Sequence, residues 1–302
     1  MHAADRLDAR IAETGSIACV GLDPRPDLRP RGLIAAHRGT GSPAEAVAAA
    51  FTEANQRVID AIADRCAAVK PQAACYEAYG LPGWRALERT VRHARDAGIP
   101  VILDAKRGDI GSTAAHYGQM AFGGAPDLDG AACEGIGADW LTVNGYLGSD
   151  GVAPVLAAGG GVFVLVKTSN PGSGELQDLV LEAGGTVADR MAERVADWGA
   201  ARIGASGLSD VGAVVGATYP QHAVALRARM PDTVFLVPGY GAQGATAQDA
   251  VAGLRDDGRG VLVSSSRGIT GAWQQAGTDD VGAAARRALD AMNADRDAAR
   301  RA

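Results

Sequence analysis

Short apolar and β-branched runs recur along the chain at residues 17–22, 67–70, 100–103, 140–143, 162–166, 211–215, 233–237 and 261–264, with helical patterning between them. Runs that are apolar on both faces suit strands of a parallel sheet covered on either side. The intervals leave room for crossover helices. Eight strand–helix units predict one α/β domain over residues 1–302, a single (β/α)8 barrel of the TIM type, and no linker or low-complexity tract divides it.

The intervening stretches carry apolar faces. Trp84, Leu87 and Val91 recur at i, i+3 and i+7, and Val187, Met191, Val195 and Trp198 at i, i+4, i+8 and i+11, so both stripes read as core. Pro43 opens a helix to about residue 65, Pro82 one to about 97 and Pro220 one to about 230, each with proline near the first turn. Residues 123–130 and 170–174 read as surface insertions, and the acidic-basic tail 290–301 as a solvated helix end.

Composition narrows the class. With 302 residues at 47% hydrophobic content the chain can bury a large core, and a formal charge of −6 without any basic block argues against a general nucleic-acid or anionic-membrane binder. Any anion site is therefore local. Cys19, Cys66, Cys75 and Cys133 are widely spaced and read as small buried thiols in a reducing cytoplasm. The start of the chain has no charged-then-apolar leader pattern, and the longest apolar stretch, 155–166, is broken by Gly159, Gly160 and Gly161 and too short to span a bilayer. A soluble, cytoplasmic protein is expected.

Active sites of such barrels lie at the C-terminal ends of the strands. The polar residues that follow the runs there include Asp23, Lys70, Asp104, Lys106, Asn144, Lys167 and Ser169. The chain has 29 basic residues, of which only Lys70, Lys106 and Lys167 are lysines, and each follows an apolar run. Period-two geometry puts Asp104 and Lys106 on one face, the neighbouring strand brings Lys70 beside them, and Asp109 beyond the Arg107-Gly108 turn is the natural fourth member. Two carboxylates alternating with two ammoniums neutralise the group, which matters because an unpaired buried charge is costly. Arg107 is expected to point away. Ion pairs that merely close strand ends are the plain alternative for any one of these residues; four together favour a functional cluster.

A second constellation is Pro238-Gly-Tyr-Gly-Ala-Gln-Gly244, a G-x-G-x-x-G after a strand. A dinucleotide site would want an acidic residue at the end of the next strand, where this chain has Ser264-Ser-Ser-Arg267. Glycine-rich amides after strand seven with Arg267 and Gly268 after strand eight match the usual barrel phosphate site. None of the five histidines sits beside an obvious nucleophile or metal partner, and histidine and cysteine are read as structural.

With these residues in hand, the chain resembles the orotidine 5'-phosphate decarboxylases, in particular their longer, type 2 bacterial subfamily. The resemblance runs nearly end to end on Gly21-Leu-Asp23-Pro-Arg, Lys70-Pro, Asp104-Ala-Lys-Arg-Gly-Asp-Ile-Gly-Ser-Thr113, Lys167-Thr-Ser-Asn-Pro-Gly-Ser173 and the two glycine and serine motifs above. It implies cofactor-free, metal-free decarboxylation of orotidine 5'-phosphate to UMP, the closing step of de novo pyrimidine nucleotide synthesis. Lys106 would protonate C6, Asp104 would orient Lys106 and keep it charged, Lys70 would bridge Asp104 and a ribose hydroxyl, and Asp23 would bind the ribose. Ser169 would read the pyrimidine edge, and Gln243, Arg267 and Gly268 would hold the phosphate. Asp109 and Thr113 would cross a dimer interface into the partner's pocket, implying a homodimer with shared active sites. Gly145 departs from the proline of the pattern, implying a looser loop, and the resemblance assigns Lys167 no derivable role.

Other readings compete. A sugar-phosphate decarboxylase or aldolase of the same superfamily shares D-x-K-x-x-D but uses Mg²⁺; Lys70 stands where it would need an acidic ligand. A Schiff-base aldolase wants a free amine, which flanking aspartates oppose. A non-catalytic nucleotide-phosphate sensor would not need the intact charge cluster.

Overall fold

The computed structural model describes residues 2–39, 41–241 and 244–301. Eight strands form one parallel sheet: β1 (Ala18–Leu22), β2 (Ala68–Pro71), β3 (Ile102–Arg107), β4 (Trp140–Val143), β5 (Gly161–Lys167), β6 (Ser209–Val215), β7 (Thr233–Pro238) and β8 (Val261–Ser265). Each pairs with its sequence neighbour, β8 pairs with β1, and bridges Val69–Val101 and Gln72–Asp104 join β2 to β3, closing the barrel. All eight predicted runs fall on these strands.

Alternate side chains along each strand serve two cores. Inside the barrel pack Cys19, Ala68, Ile102, Trp140, Phe163, Val234 and Leu262, with Trp140 and Phe163 stacked at 4.5 Å between ring centres. Their neighbours, among them Val20, Val69, Val162, Val164, Val261 and Val263, face the surrounding helices. Burial on both sides is why the strands read as continuous apolar runs.

The principal helices are α1 (Ala3–Thr14), α2 (Pro43–Ile62), α3 (Gly80–Asp96), α4 (Gly111–Phe122), α5 (Ser149–Ala157), α6 (Val187–Gly199), α7 (Pro220–Arg229), α8 (Ala247–Val251) and α9 (Val281–Arg301). Pro43 is the first residue of α2, and Ser42 before it exchanges hydrogen bonds with Glu45 in a capping box. Leu87 and Val91 are buried as expected on α3, while the buried line of α6 runs through Ala188, Ala192 and Val195 with Met191 and Trp198 packed partly against it. Helix α1, not foreseen from the pattern, plugs the N-terminal mouth with Ala3, Ala4 and Leu7 and is held there by Asp210, which accepts from the Ala4 amide at 2.9 Å.

Two expectations change. The tail is a helix end exposed on one face only: on the other, Arg296 is buried and donates to the Gly15 carbonyl at 3.0 Å, tying α9 to the turn between α1 and β1. Cys133 is exposed on a two-stranded ribbon, Ala125–Pro126 with Ala132–Cys133, whereas Cys19 and Cys66 are buried. Among the described residues no helix is long and apolar enough to cross a membrane.

Candidate active site

A cavity of about 770 Å³ opens at the C-terminal mouth of the barrel, walled by Asp23, Lys70, Asp104, Lys106, Ser169 and Arg267 among others. At its floor Asp104 is the hub. Its Oδ2 accepts from Lys70 Nζ at 2.7 Å and Gln72 Nε2 at 3.1 Å; its Oδ1 accepts from Lys106 Nζ at 2.6 Å and Thr142 Oγ1 at 2.9 Å. Burial alone would raise the Asp104 carboxyl, but Lys70 and then Lys106 outweigh it and hold it well below the usual carboxylate range. Burial alone would likewise lower Lys70; Asp104 and then Asp23 hold its ammonium above the ordinary lysine value. Both groups are therefore charged throughout the neutral range.

The strand end that carries Lys106 is not a regular pleat. Lys106 has φ of 47°, the left-handed region, and is alone in this among the described non-glycine residues. Arg107 turns away, as expected, to pair with Glu77 and lie over the Tyr117 ring. Asp109 does not join the cluster within the chain. The Arg107-Gly108 turn carries it past the rim, where its Oδ1 accepts from the Ile110 amide at 2.8 Å and its carbonyl packs against Gly151. Thr113 is exposed on the first turn of α4.

Asp23 follows β1, and its Oδ1 is buried with no hydrogen-bond donor among the described residues. The glycine before it has a steric cause: a Cβ on Gly21 would lie 1.8 Å from Ser266 Oγ. After β7, Gly239 and Gly241 hold φ of 108° and 69°, and Gly239 and Tyr240 line the cavity with Ser264, Ser265 and Arg267. Gly268 lies beside Arg267 in an adjoining hollow, and Gln243 lies outside the described residues.

Ser169 is backed by Gly216, where a Cβ would come within 2.9 Å of its side chain. Lys167, whose role the sequence did not disclose, is buried beneath this loop. It pairs with Asp178 at 2.6 Å, donates to Ser173 at 3.4 Å and lies over the Tyr219 ring, so it pins the segment that presents Ser169. Gly145 does not loosen its loop: it is buried where a Cβ would strike Met191 Sδ at 2.7 Å, and Asn144 caps the Tyr146 amide at 3.0 Å. Gln72, which follows Lys70-Pro71 among the polar residues at the strand ends, was given no role in the sequence reading, and Thr142 escaped it although it interrupts an apolar strand.

The family model for the orotidine 5'-phosphate decarboxylase / HUMPS family matches residues 17–279. The chain belongs to that family. It is 45% identical to the orotidine 5'-phosphate decarboxylase of Rhodopirellula baltica, over 89% of this chain and 88% of that one. It is 44% identical to that of Haloarcula marismortui, over 93% and 92%. Among solved structures it resembles Leishmania donovani OMP decarboxylase with a TM-score of 0.75 and 35% identity, covering all of both chains. A structure of a protein described as an orotidine 5'-phosphate decarboxylase from Streptomyces avermitilis gives 0.77 and 33%, over all of this chain and 96% of that one. Of the residues expected from the family pattern, Asp23, Lys70, Asp104, Lys106, Ser169 and Arg267 face one cavity, whereas Asp109 and Thr113 lie outside it.

Proposed function

We propose that this chain decarboxylates orotidine 5'-phosphate to UMP, a step of pyrimidine biosynthesis, with Lys106 as the proton donor. The bond between C6 and the carboxylate carbon breaks, the electron pair stays on C6, and carbon dioxide leaves. The Lys106 ammonium stabilises that charge and then gives its proton to C6, after which water reprotonates the amine. Asp104 fixes the ammonium and keeps it protonated. Lys70 bridges Asp104 and a ribose hydroxyl, the orphaned Asp23 oxygen accepts from the ribose, and Ser169 meets the pyrimidine edge.

The glycine-rich turn after β7 takes the phosphate with Gln243, Arg267 and Gly268. Holding a group remote from the reacting carbon lets binding energy position the substrate and raise the rate. The single observation that carries this reading is the carboxylate of Asp104 gripped by two lysines in the cavity of a chain 45% identical to a named decarboxylase. The Lys70 ammonium on Asp104 also speaks against the Mg²⁺-dependent reading, because it occupies the carboxylate edge a cation would need and repels it.

The working unit in this proposal is a cytoplasmic homodimer. Asp104 is the one carboxylate that both ammoniums contact, with Asp23 acting on Lys70, and Asp109 of the partner subunit, with Thr113 beside the substrate, adds a further carboxylate to the cluster. In support, the turn that bears Asp109 also exposes Ile110, and it packs beside the loop whose Tyr146 and Leu147 are exposed. Purified protein mixed with orotidine 5'-phosphate and EDTA should release carbon dioxide as the orotate absorbance falls. Turnover that requires added Mg²⁺ would overturn the metal-free mechanism.

A further inference from the structure

We infer that Thr142 is a positioning residue for Lys106: its hydroxyl holds the left-handed turn of backbone that aims the ammonium at Asp104 and the cavity. The inference rests on Lys106 as the proton donor.

The register between β3 and β4 shows why such a device is needed. Ile102 pairs with Trp140 and Leu103 with Leu141, but the next pair is Arg107 with Val143. Three residues, Asp104, Ala105 and Lys106, therefore face one, Thr142. A bulge of this size leaves backbone amides without ladder acceptors, and a buried amide without a partner is destabilising. Thr142 Oγ1 accepts from the Ala105 amide at 3.0 Å and from the Lys106 amide at 2.9 Å, and it donates to Asp104 Oδ1 at 2.9 Å. A hydroxyl has one proton to give and two lone pairs to offer, so its whole capacity is spent on the three residues of the bulge.

The left-handed conformation is disfavoured for a residue with a Cβ and persists only where the surroundings impose it. At Lys106 the imposing contact is the bond from its own amide to Thr142. The same hydroxyl shares Asp104 Oδ1 with the Lys106 ammonium, which fixes the carboxylate from one side and the backbone from the other. Thr142 is 1% exposed in a strand whose other members, Trp140, Leu141 and Val143, are apolar and buried. A hydroxyl there is not explained by packing.

Thr142→Val keeps the shape and removes the hydroxyl, while Thr142→Ser keeps the hydroxyl and removes a methyl. In Thr142→Val, kcat for orotidine 5'-phosphate should fall about 100-fold, the scale of an ångström's misplacement of a reacting group, with the Kd for UMP changed by less than about threefold. Thr142→Ser should stay within about threefold of the parent kcat. Should Thr142→Val not fold, Thr142→Ala takes its place in the comparison with Thr142→Ser. The inference is overturned by a hydroxyl-free variant with parental kcat, by a serine variant as slow as the valine or alanine one, or by UMP affinity falling in step with kcat. Lys106→Ala serves as the reference: parental turnover in that variant would refute the proton-donor assignment itself.

Discussion

Lys70 Nζ lies 2.7 Å from Asp104 Oδ2 across the seam where β2 meets β3, and both side chains are 8% exposed. A pair so placed is costly to break from one side, since the surviving charge stays buried without its partner. Lys70→Ala should lower the unfolding free energy by about 3–5 kcal/mol, because of its two cationic partners Asp104 keeps only Lys106. The double variant Lys70→Met, Asp104→Leu should recover most of that stability while remaining inactive. Urea unfolding monitored by circular dichroism reads both, and a Lys70→Ala variant as stable as the parent would refute the buried pair.

The same pair sets a pH signature. The Asp104 carboxyl is depressed in the folded state, so its contribution to stability is complete above the unfolded carboxylate value, roughly 3.9, and is lost as pH falls through its lower folded value. Lys70 is raised, so its contribution is complete below the unfolded lysine value, roughly 10.4, and is lost as pH rises through its higher folded value. Stability attributable to the pair should therefore be flat between those limits and fall outside them. The difference in urea midpoint between the parent and the double variant should be small and constant in the middle range and should widen against the parent towards acid and towards alkali.

Asp109 offers a test of shared sites. If it serves the partner's pocket, Lys106→Ala and Asp109→Ala homodimers are each inactive, but exchange of their subunits creates one intact site in every mixed dimer. Random exchange should restore about a quarter of the parental sites. Activity measured before and after subunit exchange decides it: mixtures that stay inactive, although native electrophoresis of charge-tagged chains shows exchange, would place Asp109 in its own subunit's work.

Much of this was legible before the structure. The eight strands showed because burial on both faces leaves continuous apolar runs, and Lys70, Asp104 and Lys106 stood out because lysine is scarce here and follows those runs. What stayed hidden depends on pairing between distant segments. Period-two geometry set Asp104 and Lys106 on one face of a regular strand end, yet β3 bulges between Leu103 and Arg107, where three of its residues face Thr142 of the next strand alone. The same limit applies to Gly145, whose role depends on Met191 lying against it, and to Arg296, whose charge suggested solvent but whose hydrogen bonds lie at Gly15 and Asp297. Asp109 was grouped with the lysines because a second carboxylate balances their charge, but within one chain the turn at Gly108 separates it from them.

The central claim is that Lys106, held by Asp104, delivers the proton that replaces the departing carboxylate. Turnover of orotidine 5'-phosphate by Lys106→Ala, measured beside UMP affinity on the same preparation, tests it most directly. Loss of at least about 10³-fold in kcat with UMP still bound is the predicted result, in the range a positioned general acid supplies. A Lys106→Ala enzyme that keeps turning over within about tenfold of the parent would contradict it.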